Sequence, residues 1–492
     1  METQFMIKSI FLTIITCAVF FLVPGKGEAK EPVLIYLKDV TVQNRKVEFP
    51  LKSNSASGAS PVRVDTDNDG SYDATRWLVT NCAWVSYDKD RYPPSIESFL
   101  ISDEDLTVVR EKQLPGNIGR VFGPTITAIG SKKDTINRHW FIFAGHFDPG
   151  KQMMWELFPD GHIQSLDLLN HIQQENEGPH GISFSRLDRD RNGTAETTRV
   201  VYTGELTHRC TVYEIDNDKR HASIVCRLAE GDCCRSVLTH HLDLDHDGFC
   251  DTTRYYVSLI DLLDIQYGCV KVYDLHDKSR KPVYRTRVPG VLGWPENKDH
   301  RVARATGTGA VRLDLNEDGI KDTTRLFVGN GSKENAGIVV FDLDDETLKQ
   351  TYLSTLRVEN ALGCLGTTLL RIDSDEDGNA DTTRLFASFV NRIAVYDISD
   401  NGNTELLEII SLPDYSMIYS IAPLCLDIDN DGKIEDTILG LADSWGNRLA
   451  LYRHIPRRGE TVIGANSLES VIIRDNKLHI LSDQSPVGAG LY

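Results

Sequence analysis

Six stretches of the chain set oxygen-bearing side chains at one fixed spacing, and the chemistry that spacing suits is the capture of a hard cation. In "LDLDHDGFCDTTRYYV" the donors are Asp243, Asp245, Asp247 and Asp251, at positions 1, 3, 5 and 9 of a loop whose position 6 is glycine. Calcium takes six to eight oxygen ligands, position 7 offers a backbone carbonyl, and glycine permits the sharp turn. The other loops place Asp65, Asp67, Asp69 and Asp73; Asp188, Asp190, Asn192 and Glu196; Asp314, Asn316, Asp318 and Asp322; Asp373, Asp375, Asp377 and Asp381; and Asp427, Asp429, Asp431 and Glu435 at the same positions. Position 12 of the Asp243 loop is Arg254 rather than the bidentate glutamate of a helical calcium loop, and its flanks read as strands. A solvated acidic turn would explain Asp and Gly in one loop but not one spacing held in six.

These loops account for an unusual charge. The chain has 492 residues with 40% hydrophobic and 25% charged, ordinary for a globular protein, but a net charge of −19. The ligand positions hold 22 carboxylates, and six divalent ions would bring the net charge to about −7. Five or six calcium ions are therefore the expected cofactor. Nucleic acid is an unlikely partner class for so acidic a surface, because phosphate contacts need clustered Lys and Arg.

The loops recur as an internal repeat. Their first aspartates are separated by steps of 123, 55, 71, 59 and 54 residues. The first step spans two units, so a seventh copy is expected near residue 128, where "TAIGSKKDTINRHWFIFAG" keeps Arg138 and the apolar run but has no aspartate loop. Each unit offers four short strand signals, with the acidic loop turning the first into the second. Runs such as "RLFV" and "RYYV" are apolar on both faces, as strands between neighbouring sheets must be. Four antiparallel strands per unit and seven units predict an all-β, seven-bladed β-propeller. Length alone would suggest several domains, but the repeat assigns residues 30–492 to one propeller, its second blade near 120–180 lacking the acidic loop. "PVLIYLKDV" and "ESVIIRDNKLHILSD" are strand-like termini, one of which is expected to close the ring.

The loops resemble the FG-GAP repeats of integrin α-chain propellers and the related bacterial VCBS-type repeats. The resemblance covers nearly the whole mature chain and implies a seven-bladed propeller with calcium in the hairpin between the first and second strands of a blade. The Phe-Gly and Gly-Ala-Pro signature survives only as "TGTGA" before Arg312 and "FVGNG" after Arg325.

Lys8, the apolar "SIFLTIITCAVFFLV" and the small residues before Lys30 read as a signal peptide over 1–29, cleaved after Ala29, with an uncleaved anchor as the alternative. No later stretch is apolar enough to span a membrane. The expected location is secreted, periplasmic or cell-surface. Nine cysteines remain after cleavage, an odd number, and Cys210 and Cys226, flanking one hairpin, are the expected disulfide. The "DTTR" arginines Arg76, Arg199, Arg254, Arg325 and Arg384 are expected to reach an acidic loop on the same or the next blade.

Function is expected on the face opposite the calcium loops. Trp84, Tyr87, Tyr92, Trp294 and Trp445 fall there, a surface suited to a protein or glycan ligand. His146, His180 and His208 fall on the same face in adjacent units and are the candidates for a second reading, an exported propeller hydrolase or lyase. No nucleophile elbow, phosphate loop or dinucleotide fingerprint is present.

Overall fold

The computed structural model describes residues 32–481 except 42–54, 65, 67–72, 83–94, 103–104, 115–120, 130–138, 147–151, 159–161, 167–178, 192–194, 205–208, 230–232, 246, 248, 261–267, 289–304, 317, 319, 332–335, 413–416, 427–433, 445–447, 466–469 and 475–476. Among these, every regular element is a strand; the strands form seven blades of an antiparallel β-propeller, apart from Ser470–Arg474 and Lys477–Leu481, which pair with each other in a separate hairpin. Blade 1 is Ser55–Val64, Ala74–Cys82, Ser95–Ser102 and Val108–Gln113; blade 2 is Val121–Ile129, His139–His146, Gln152–Leu157 and Ile163–Leu166. Blade 3 is Pro179–Leu187, Thr197–Gly204, Arg209–Asp216 and His221–Leu228; blade 4 is Cys233–Leu242, Thr252–Ile260, Cys269–His276 and Val283–Val288. Blade 5 is Ala305–Leu313, Thr323–Asn330, Gly337–Asp344 and Gln350–Leu356; blade 6 is Cys364–Asp373, Thr382–Phe389, Arg392–Ser399 and Thr404–Ser411. Blade 7 takes three strands from its own repeat, Ile418–Leu426, Asp436–Asp443 and Arg448–His454, and its outer strand, Leu34–Thr41, from the other end of the chain.

The N-terminal strand is thus the one that closes the ring. Glu408 of blade 6 accepts hydrogen bonds from the Val33 and Leu34 amides at 2.9 and 3.3 Å, fixing where that strand begins. The first strands of all seven blades touch one another in cyclic order, so they line the central axis and the fourth strands form the rim. The buried second strands reflect the packing: all eight residues of Thr323–Asn330 are buried, because both faces of the blade meet a neighbour. Core clusters accordingly join pairs of blades, as in Val201, Val212 and Leu228 of blade 3 with Val237, Val257 and Leu275 of blade 4.

Close approach at the axis depends on glycine. A Cβ built on Gly366 would lie 2.7 Å from the Tyr419 carbonyl of blade 7, and one on Gly181 2.8 Å from Ser236 Cα of blade 4. Neither neighbour can yield, since both are backbone. Gly366→Ala is expected to destabilise the protein by about 1–3 kcal/mol, as overpacking of a tight core does, read from the denaturant midpoint.

The tail arginines sit elsewhere than expected. Arg199, Arg254, Arg325 and Arg384 are fully enclosed, and each pairs with the acid of its own blade's third strand: Glu214, Asp274, Asp342 and Asp397. Each then reaches into the following blade. Arg254 Nη1 is 3.1 Å from Asp345 Oδ1, Arg325 donates to the Ser399 and Asp400 carbonyls at 2.7 and 2.8 Å, Arg199 to those of Leu275 and Asp277 at 3.3 Å, and Arg384 to His454 and Glu460 at 2.8 and 2.9 Å. Arg76 pairs with Glu111 on the fourth strand of blade 1. Among the described residues the loop carboxylates are not their partners, because the second strand carries the guanidinium into the interface between blades, where an unpaired charge would be costly.

The proposed Cys210–Cys226 bridge is also corrected. Cys210 stands opposite Leu228 and Cys226 opposite Val212, so the register offsets the pair, and they are not joined.

Two buried histidines tie stability to pH. His240 is fully buried, neither ring nitrogen takes a hydrogen bond, and it stacks edge-on to Tyr256 at 5.4 Å. Burial first, then the charges of Arg312, Arg254 and Lys321, push its pKa down to about 3, and burial followed by Arg384 does the same for His454. Both stay neutral in the fold while the unfolded chain protonates them near its ordinary value of about 6.5. Their contribution is present above pH 6.5 and declines as pH falls toward 3. His240→Phe is expected to gain roughly 2 kcal/mol relative to wild type at pH 5, and nothing from that source at pH 8. Unfolding curves at the two pH values check it.

Candidate metal-binding loops

Each acidic loop joins the first strand of a blade to the second, and its position 9 closes the hairpin. Asp73, Asp251, Asp381 and Glu435 donate backbone N–H groups to Val64, Leu242, Ile372 and Leu426 at 2.9 to 3.1 Å. The carbonyl of position 9 is held as well. It accepts the amide of Asn217, Asp277, Asp345 or Asp400, at 2.9, 2.8, 2.8 and 2.8 Å, from the turn after the third strand of the same blade. Those four residues are the ones that follow the recurring "VYEI", "VYDL", "VFDL" and "VYDI" segments by two positions, so the loop base and the arginine contacts share one scaffold.

Inside the loop, position 1 to 5 carboxylates accept from later amides and so wrap the chain around one centre. In blade 4, Asp243 Oδ1 accepts from the Asp247 amide at 3.1 Å and Asp247 Oδ1 from Phe249 at 3.0 Å. In blade 5, Asp314 and Asn316 both accept from the Asp318 amide at 3.2 Å. In blade 6, Asp373 accepts from Gly378 and Asp375 at 2.8 and 3.3 Å, and Asp377 from Asn379 at 2.7 Å.

Three loops bring carboxylate oxygens within 4.8 Å of one another: Asp188, Asp190 and Glu196; Asp243, Asp245 and Asp247; and Asp373, Asp375 and Asp377. Other sequence candidates are turned aside. Asp251 meets His276 at 3.1 Å and Thr252 at 3.0 Å, and Asp381 accepts from Ser374 at 2.6 Å. Asn316 donates to Asp318 and Asp322 at 3.1 and 3.4 Å. Asp73 is clamped by Thr66, whose amide lies at 2.8 Å. Asp65, Asp67, Asp69, Asn192, Asp427, Asp429 and Asp431 lie outside the described residues.

The electrostatics fit a cation. Glu196 Oε1 is buried and takes no hydrogen bond, and burial, with Asp190 close by, raises its carboxyl above the usual range. Asp375 is also raised: the Asp377 amide favours its charged form, but burial and the charges of Asp377, Asp381 and Asp373 outweigh it. Asp373 is lowered, because four backbone amides overcome its burial. A divalent ion would satisfy Glu196 Oε1 and relieve the repulsion on Asp375 together. Arg191 supplies a partial substitute to its neighbour, with Nη1 2.8 Å from Asp247 Oδ2 and its guanidinium 4.3 Å over the Phe249 ring.

On the opposite face, His146 ends the second strand of blade 2 and His180 lies next to the start of the first strand of blade 3, so their backbones reach the same face in adjacent blades. His208 and the aromatics Trp84, Tyr87, Tyr92, Trp294 and Trp445 lie outside the described residues.

No protein-family model matches the chain, and no curated protein does. Solved structures of similar fold include a protein from Lactobacillus plantarum, at 13% identity and a TM-score of 0.43 over 80% of this chain and 93% of that one. An α-L-arabinofuranosidase from Fusarium graminearum, solved with an iminosugar inhibitor, matches at 11% identity and 0.42 over 85% and 98%. Kuenenia stuttgartiensis hydrazine synthase matches at 11% and 0.44 over 84% and 99%. These likenesses carry no statement about activity. Among the described residues no helix is long and apolar enough to cross a membrane.

Proposed function

We propose that the protein is an exported calcium-binding propeller of the FG-GAP or VCBS type, a binding module that carries its ions on one face and presents the other to a protein or glycan. The observation behind the calcium reading is the convergence of carboxylates in three loops, with Glu196 Oε1 buried and unsatisfied at one of them. Counting ions on the mature chain, residues 30–492, by equilibrium dialysis and elemental analysis tests it. Five or six calcium ions are expected, and Asp243→Asn with Asp247→Asn should remove one. A chain that binds none at millimolar calcium is not a calcium propeller.

His146 and His180 favour a second reading, a hydrolase or lyase with its site at the mouth opposite the loops, because both backbones reach that face in adjacent blades. Turnover of a glycoside or lactone panel that is lost in His146→Ala and His180→Ala, with melting unchanged, would select it over the binding module.

A further inference from the structure

The axis of the propeller is not lined by first strands alone. In an ordinary blade the inner edge of the first strand faces the channel without a partner. In blade 6 that edge is paired: Thr461–Ala465 runs antiparallel to it, with Asp373 opposite Thr461, Ile372 opposite Val462 and Leu370 opposite Ala465. The first strand of blade 6 runs toward its acidic loop, so its antiparallel partner enters at the acidic face and runs inward along the axis. It also touches the acidic-loop hairpin of the next blade, through a bridge between Val462 and Ile434, the residue before Glu435.

Side chains hold this strand on both sides. Val462 and Ala465 are 1% and 5% exposed, in one cluster with Leu370 and Ile372 of blade 6 and Ile421 and Ile434 of blade 7. Just before it, Glu460 accepts from Arg384 at 2.9 Å and, through its other oxygen, from the Arg457 amide at 2.8 Å. Asp373 is consequently 3% exposed, whereas the first donors of the loops in blades 3, 4 and 5 are only partly covered.

We infer that residues 460–465 are a built-in axial plug that closes the acidic-loop end of the channel, so that a ligand or substrate of the channel enters from the opposite face alone. That face is the one reached by His146 and His180, and it is the face to which either functional reading assigns the ligand. The plug is the chain's own segment downstream of blade 7, free to take this place because the N-terminal strand has filled the rim of that blade.

Cys425 reports on the plug. It lies on the first strand of blade 7, packed against the cluster that holds Val462 and Ala465. Its side chain is half-buried against that cluster, so docking of the strand limits a reagent's access to the thiol. Val462→Asp and Gly464→Pro, in the mature full chain, should each raise the rate of Cys425 alkylation by N-ethylmaleimide roughly tenfold or more, read peptide by peptide in a mass spectrometer. Unchanged Cys425 labelling in a variant that still melts cooperatively would overturn the plug. Hydrogen exchange on the unaltered chain decides the case if both variants misfold: peptide 460–465 should exchange as slowly as the blade strands, and exchange at the rate of an open loop would refute docking.

Discussion

Replacing Arg254 by alanine is expected to cost about 3–5 kcal/mol. Its guanidinium is fully enclosed and bonds Asp274 through two nitrogens at 2.7 and 2.9 Å and Asp345 of the next blade at 3.1 Å. Removing it leaves Asp274 with the half-exposed Arg285 at 3.2 Å and Asp345 with Arg312 at 3.3 Å, each short of its enclosed partner. Burial already raises the Asp345 carboxyl despite Arg312 and Arg254, and losing one of those two charges would raise it further. Urea unfolding of wild type and variant at pH 7 measures the loss. Replacing Arg254→Met with Asp274→Leu and Asp345→Leu should recover only part of it, because the stranded carboxylates are gone but Arg312 and Arg285 lose their acid partners. If Arg254→Ala costs under about 1 kcal/mol, the buried pairs do not hold blade 4 to blade 5.

Stripping calcium is expected to have the larger effect. An ion that binds only the folded chain stabilises it by about 2.7 kcal/mol at a hundred times its dissociation constant, and independent sites add. With five or six proposed sites, EDTA should lower the melting midpoint by roughly 10 °C or more relative to millimolar calcium. The shift should shrink by a similar increment each time one loop is disabled, as with Asp375→Asn and Asp377→Asn in blade 6. Those two substitutions also relieve repulsion in the empty loop, so in EDTA they should be neutral or mildly stabilising. An EDTA midpoint equal to the calcium midpoint would leave the loops as solvated turns.

Much of the architecture was legible in the residues. The fixed spacing of Asp243, Asp245, Asp247 and Asp251, repeated at steps near 60, counts the blades, and runs such as "TTRLFV" and "TTRYYV" after the loops mark strands buried on both faces. Local pattern carries such information because strand burial and turn chemistry depend on neighbours in the chain. The partners of Arg199, Arg254, Arg325 and Arg384 were not legible. The third-strand acids Glu214, Asp274, Asp342 and Asp397 recur visibly in "VYEI", "VYDL", "VFDL" and "VYDI", but which guanidinium meets which acid depends on strand register. The Cys210–Cys226 pairing failed for the same reason: flanking one hairpin does not make two residues opposite.

What the sequence determined by itself is the repeat, the all-β class, the seven units and the spacing of acidic residues in the loops, since these rest on periodicity and on residues within one hairpin of each other. Only the tertiary structure decided that Leu34–Thr41 closes the ring, that the arginines join blades instead of loops, and that Thr461–Ala465 turns into the axis. Each of these joins segments far apart in the chain, and an exposed strand edge accepts any strand that reaches it. Which one arrives is settled by closure of the ring, a property of the whole fold and of no single stretch.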